Sequence, residues 1–180
     1  MTSTQEESPV LTRAAPDHSV NELVGPRSAL IRNLTEAYWA ELETAATYLA
    51  SSTNREGITA GRIARRVRDA ITSNLDHAQR LAVRIKQLHG LVPGPDDFSA
   101  RQLAVGSPPE PHDHASVLEG TIDAATTAIA RYQGIVAVAP EAADWVTRDL
   151  AVQLIREKQT HRQWLQESLV ELAGPDASAI

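Results

Sequence analysis

Four stretches of this chain, at about 26–52, 59–89, 115–138 and 144–172, carry apolar residues in alternating three- and four-residue steps. That spacing winds a stripe along one face of a helix and suits helices packed side by side at shallow angles. The first stripe is Leu30, Leu34, Ala37/Tyr38, Ala45 and Tyr48, and the second is Ile63, Val67, Ala70/Ile71, Leu81, Ile85 and Leu88. The third is Leu118, Ile122, Ile129, Tyr132 and Val136, and the fourth is Ala151, Leu154, Leu165 and Leu172. Pro26 suits an opening turn, Gly90 a C-cap, and Gly174-Pro175 a stop after the fourth helix.

The connections then restrict the topology. About six residues join the first two helices and about five the last two, but some 24 separate the middle pair, from Leu91 to His114. This segment holds Pro93, Pro95, Pro108, Pro109 and Pro111, and a structureless loop of that length needs a reason. A 28-residue helix is about 42 Å long, and an extended 24-residue chain reaches up to about 79 Å. The segment can therefore run the whole length of a bundle. Short, long, short predicts an all-α four-helix bundle with one long crossover between helices two and three.

Composition agrees. The chain has 180 residues, 42% of them hydrophobic and only seven aromatic, enough for one cored domain and biased to helix over strand. The expected division is a flexible N-terminal arm over 1–22, the bundle over 23–173 and a tail over 174–180. A net charge of -6 argues against nucleic acid as a partner. The absence of cysteine removes disulfides, thiol catalysis and iron–sulfur clusters. No apolar run is long enough to span a membrane. The polar, acidic start Met1–Glu7 precedes no apolar stretch, so a cytoplasmic protein without signal peptide is expected.

Six positions on the stripes are not filled by large apolar residues: Glu41, Asn74, His77, Ala125, Lys158 and His161. Five polar side chains thus point inward near mid-length. Burying each without a partner costs about 1–3 kcal/mol, and more when charged. They must meet one another, a metal ion or water. The halves also echo each other: Glu41…Tyr48 faces Ala125…Tyr132, and Asn74-Leu-Asp-His77 faces Lys158-Gln-Thr-His161.

At these residues the chain resembles the ferritin-like superfamily, in particular its bacterioferritin and rubrerythrin-like branch. The resemblance rests on Glu41…Tyr48, on His77-Ala78-Gln79-Arg80-Leu81, on Ala128-Ile129…Tyr132, and on Thr147-Arg148-Asp149-Leu150 followed by His161; it covers about residues 20–172. It implies a di-iron site taking one Glu from each of helices one and three and a Glu-x-x-His from each of helices two and four. Glu41, His77 and His161 match that set. Asn74, Ala125 and Lys158 stand where three carboxylates are expected. A slip of one or two residues in helix three would bring Ala124 or Asp123 to the site, but the period puts Asp123 off the stripe.

Two ferrous ions beside one carboxylate and one ammonium would leave about +4 in a low-dielectric interior. The leading expectation is therefore a bundle without ferroxidase activity, structural or partner-binding, with no resident cofactor. Lys158 would pair with Glu41, and Asn74, His77 and His161 would complete a hydrogen-bonded network. A competing reading places a single iron or zinc on Glu41, His77 and His161, with oxidase or iron-handling activity. A third is a subunit of an iron-storage assembly. A homo-oligomer is expected, a dimer or larger. His112 and His114 have a metal-like spacing but sit in the proline-rich loop, where a solvated role is expected. Arg62, Arg65, Arg66 and Arg68 read as a solvated or subunit-facing run. Glu43 and Glu157 lie one helical step off the inner positions and read as exposed. Tyr48 and Tyr132 read as core, and Trp39, Trp145 and Trp164 as packing or subunit contacts.

Overall fold

The computed structural model describes residues 25–53, 62–94 and 114–173. They form four helices, α1 (Pro26–Thr53), α2 (Arg62–Gln87), α3 (His114–Val138) and α4 (Trp145–Ala173), with a 3-10 turn over Ala139–Ala142 leading into α4. Among the described residues there is no strand, and no helix is long and apolar enough to cross a membrane. The arm over 1–22, the start expected for α2 at 59, most of the crossover with His112, and the tail over 174–180 lie outside the described residues. So do the side chains of Arg62, Ile63, His114 and Leu172.

One apolar cluster fixes the helix directions. It joins Leu30 and Leu34 near the start of α1, Leu81 and Ile85 near the end of α2, Tyr132 and Ile135 near the end of α3 with Ala139 of the turn that follows, and Ala151 and Leu154 near the start of α4. The starts of α1 and α4 therefore share an end of the bundle with the finishes of α2 and α3. Neighbours α1–α2 and α3–α4 run antiparallel, and α2 and α3 run parallel, which requires a full-length crossover between them. α1 packs chiefly on α2 and α3 on α4, whereas the backbones of α2 and α4 stand apart and are bridged by long polar side chains. That separation opens the site described below.

The stripes of α1 and α4 bury as expected. On α3 the inward face is turned by about one residue: Thr121 and Ile135 are buried while Ile122 and Val136 are only half-buried. α3 is apolar on most sides, so its period distinguishes the inner face poorly.

Both corners are closed by paired backbone bonds. At the end of α2, Gly90 N–H donates to Ile85 C=O (2.9 Å) and His89 N–H to Lys86 C=O (3.0 Å), a Schellman arrangement. The left-handed residue there is His89 (φ 58°), not the expected Gly90. Gly90 is needed for another reason: a Cβ on it would sit 2.9 Å from the Cγ2 atoms of both Ile31 and Ile85. Before α4, Asp144 N–H donates to Ala139 C=O and Ala143 N–H to Pro140 C=O, each at 2.9 Å, with Ala143 left-handed at φ 53°. Asp144 then caps α4: Thr147 N–H donates to its Oδ1 at 3.0 Å. Arg84 of α2 clamps the same carboxylate at 2.7 and 2.8 Å.

Candidate functional site

The polar positions meet at mid-bundle. Lys158 Nζ donates to Glu41 Oε2 at 2.8 Å and to Asn74 Oδ1 at 2.5 Å. Tyr132 OH donates to Glu41 Oε1 at 2.7 Å. Glu41, Asn74, Tyr132 and Lys158 are all buried. The expected lysine–glutamate pair is therefore present, with a tyrosine from α3 as a further donor. Burial pushes the Glu41 carboxyl up, but His77 and the Lys158 ammonium outweigh it and hold it below the ordinary range. Burial and the Glu41 charge push the Tyr132 phenol well above its usual value, so it remains a donor. Tyr48, the matching residue of the other half, is also raised by burial and bonds Thr121 instead of an acid.

His77 turns elsewhere. Its Nε2 lies 2.7 Å from Glu157 Oε2 and 3.3 Å from Ser73 Oγ. Its Nδ1 faces Glu41 Oε2 at 3.5 Å without forming a hydrogen bond. Arg80 Nη1 grips Glu157 from outside at 3.0 and 3.2 Å. Burial raises the Glu157 carboxyl, and the bonds to Arg80 and His77 bring it below the ordinary range. Glu157 is exposed, as its place one step off the inner face implies. The gap between α2 and α4 lets its side chain, still 44% exposed, lean across to His77. Inward-facing periodicity could not find it; the neighbouring Arg80, one turn from His77, was the available signal.

His161 does not join the network, contrary to expectation. Its Nε2 is buried with no hydrogen-bond partner. Its ring stacks on Trp164 at 6.4 Å between centroids, and Arg66 covers that indole at 5.2 Å. Burial, then the Lys158 and Arg66 charges, pushes its pKa down to about 4, so the ring is neutral at physiological pH. Asn74 Nδ2 is likewise buried without a partner. These groups line a cleft of about 410 Å³ between α2 and α4, with Glu157, Lys158 and Trp164 also on its wall.

The remaining expectations divide. Asp123 is exposed and cannot rescue the missing α3 acid, while Ala124 and Ala125 are buried. Glu43 is half-buried, not exposed. Arg65 and Arg68 are exposed, whereas Arg66 serves the Trp164 stack. Trp39 tilts against Tyr38, and Trp145, 59% exposed, opens α4.

One carboxylate, one amide, one ammonium and two imidazoles stand at the inner positions Glu41, Asn74, Lys158, His77 and His161, a set too poor in anions to suit two iron ions. Glu41 and His77 Nδ1 approach to 3.5 Å, but Glu41 is held by Tyr132 and Lys158 and His161 bonds to neither. Among the described residues no three carboxylate or imidazole groups gather as a metal ion would require.

Comparison with known proteins accords with this architecture. Residues 31–174 match the ferritin-like domain family. No curated protein matches the sequence. A solved bacterioferritin-related protein from Bacteroides fragilis, described as a dodecameric thioferritin, is 27% identical, with a TM-score of 0.74 over 86% of this chain and 92% of that one. The di-iron bacterioferritin of Desulfovibrio desulfuricans is 20% identical, with a TM-score of 0.70 over 82% of each chain, which speaks to the fold alone. The match spans all four helices and the whole of the polar centre, and the chain belongs to the ferritin-like domain family.

Proposed function

We propose that this chain is a ferritin-like subunit without ferroxidase activity, whose bundle centre is held by a lysine–glutamate ion pair and which acts as a structural or partner-binding element of a homo-oligomer. The observation that carries this reading is the position of Lys158. Its ammonium lies in contact with the one inner acid that α1 supplies, where the family pattern calls for another carboxylate. Two divalent ions there would meet a fixed positive charge and too few anions, a combination that a low-dielectric interior resists. The likeness to a dodecameric relative supports assembly from identical copies.

Metal analysis after aerobic purification from iron-fed cells, together with oxygen uptake on ferrous iron, tests the proposal. The expected result is metal well below one per chain after dialysis and no oxygen uptake above that of free iron. Stoichiometric metal that disappears in a His77→Ala, His161→Ala double variant would overturn it.

One observation favours a second reading, a single iron or zinc held by Glu41, His77 and His161. His161 is a neutral imidazole with an unpartnered nitrogen, the form in which histidine binds metals. It requires Glu41 to leave Lys158, whereas His77 already turns its unpartnered Nδ1 toward Glu41 and can keep its Nε2 bond to Glu157. The same metal analysis decides between the two. Membership of an iron-storage shell beside active subunits is compatible with either, and co-purification with a second ferritin-like chain would identify it.

A further inference from the structure

The cleft between α2 and α4 ends on a floor that is rich in hydrogen-bond donors and poor in acceptors. Lysine can only donate, so the amide oxygen of Asn74 must face Lys158, and its Nδ2 group is the part left over. That nitrogen carries two N–H groups, is buried and has no partner. Lys158 gives two of its three N–H groups to Glu41 and Asn74, leaving one. His161 adds Nε2, also unpartnered, which donates in one of the two neutral tautomers, and the third unpartnered atom, His77 Nδ1, is turned toward Glu41. Of the acids around it, Glu41 is held by Lys158 and Tyr132, Glu157 by Arg80 and His77, and Glu167 accepts from Gln163, while Asp69 is exposed at the rim. Arg66 stands over Trp164 on the cleft wall and adds a positive charge.

A water molecule satisfies this floor less fully than an anion does. It accepts about two hydrogen bonds and brings no charge to answer the Lys158 ammonium. A cation would meet an ammonium and an amide N–H. An oxyanion accepts several bonds at once and gains a charge-assisted bond from Lys158. The volume of about 410 Å³ admits a small molecule and little more.

We infer that this cleft is a binding site for a small oxyanion, a short-chain carboxylate or inorganic phosphate, seated on Asn74 Nδ2, Lys158 Nζ and His161 Nε2. The inference rests on the proposed metal-free centre, because it needs Lys158 in place as an ammonium. It gives Asn74 and Lys158 a joint purpose: the lysine neutralises Glu41 and also turns the amide so that its N–H groups face the cleft.

The test uses the full-length protein at fixed concentration and ionic strength, titrated separately with acetate, inorganic phosphate, chloride and the neutral analogue acetamide. Thermal melting and calorimetry are the readouts. Acetate or phosphate should raise the melting temperature saturably, and the stronger of the two identifies the ligand class. Chloride should have no saturable effect, and acetamide should bind about tenfold or more weakly, the worth of one charge-assisted hydrogen bond. Asn74→Leu removes the donors at similar volume and should weaken binding at least about tenfold. His161→Phe, which keeps the stack on Trp164, provides a second measurement if the first variant does not fold, and should weaken binding too. No saturable shift with either oxyanion, equal binding of acetamide, or unchanged binding in the variant that folds would overturn the inference. The metal analysis described above is run on the same preparation. Metal uptake overturns the metal-free reading, whereas no uptake and no oxyanion binding overturns only the present inference.

Discussion

Replacing Lys158 by Met tests the ion pair at the centre most directly. Glu41 and Lys158 are buried and their charged atoms are 2.8 Å apart. At an effective dielectric constant of about 20, the direct attraction over that distance is about 6 kcal/mol. The charge part of the loss is capped, however, because Glu41 can take up a proton instead of staying charged; the lost bond to Asn74 comes on top of it. From a reference value of 4.5, protonation at pH 7 costs about 3.4 kcal/mol, at 1.36 kcal/mol per pH unit. Lys158→Met should therefore destabilise the fold by about 3–5 kcal/mol at pH 7, the range found when one partner of a buried pair is removed. That corresponds to a melting temperature lower by about 6–20 °C for a chain of this size. The penalty should shrink to about 1 kcal/mol at pH 5, where the proton costs little. Glu41→Gln combined with Lys158→Met removes both charges and keeps an acceptor for Tyr132, and should return to within about 1 kcal/mol of the parent. Urea unfolding of the four proteins at pH 7 and pH 5 provides the measurement. A single-variant loss under about 1 kcal/mol at pH 7, or a loss that does not fall with pH, would refute the buried pair.

Five further outcomes follow from the same structure. Tyr132→Phe leaves Glu41 Oε1 without its donor and should cost about 1–3 kcal/mol in denaturant unfolding. Asp144 is held below the ordinary carboxylate range: burial raises it, but Arg84 and Thr147 outweigh burial. With the folded value depressed, its contribution is complete above the unfolded value near 3.8 and is lost as pH falls through the folded one. Asp144→Asn should flatten that acid limb of the stability curve. Ala143→Gly relieves a left-handed alanine (φ 53°) and should stabilise by about 0.5–1 kcal/mol, whereas Gly90→Ala should lower the melting temperature because its Cβ meets two isoleucines at 2.9 Å. Asn74→Glu, Ala125→Glu and Lys158→Glu together should restore a metal-dependent rise in melting temperature; no rise on adding ferrous iron or zinc would count against the assignment of these positions.

The helices and their order were legible because stripe and connector lengths are properties of the chain itself. The inner polar residues were legible for the same reason: Glu41, Asn74, His77 and Lys158 interrupt stripes that are otherwise apolar, and all four are buried. What failed was whatever depends on the distance between helices. Glu157 points one step away from the inner face, yet reaches His77 because α2 and α4 stand apart there. His161 lies on the expected face, but the same gap leaves its Nε2 facing a cleft instead of a partner. Thr121 and Ile135 on α3 were passed over because nearly every side of that helix is apolar enough to be buried. Periodicity gives the direction of a side chain and says nothing of how far away the next helix lies.

The covalent link between the two helix pairs has a consequence for the charges they carry. Asn74 and Lys158 occupy equivalent places in the two halves, as do Glu41 and Ala125. Were the same bundle assembled from two identical half-length chains, every substitution would occur twice. A lysine at this place would then confront a second lysine, and an alanine in place of the acid would abolish both acids together. In one polypeptide the two halves are free to differ, so that one carries the cation and the other the anion that neutralises it.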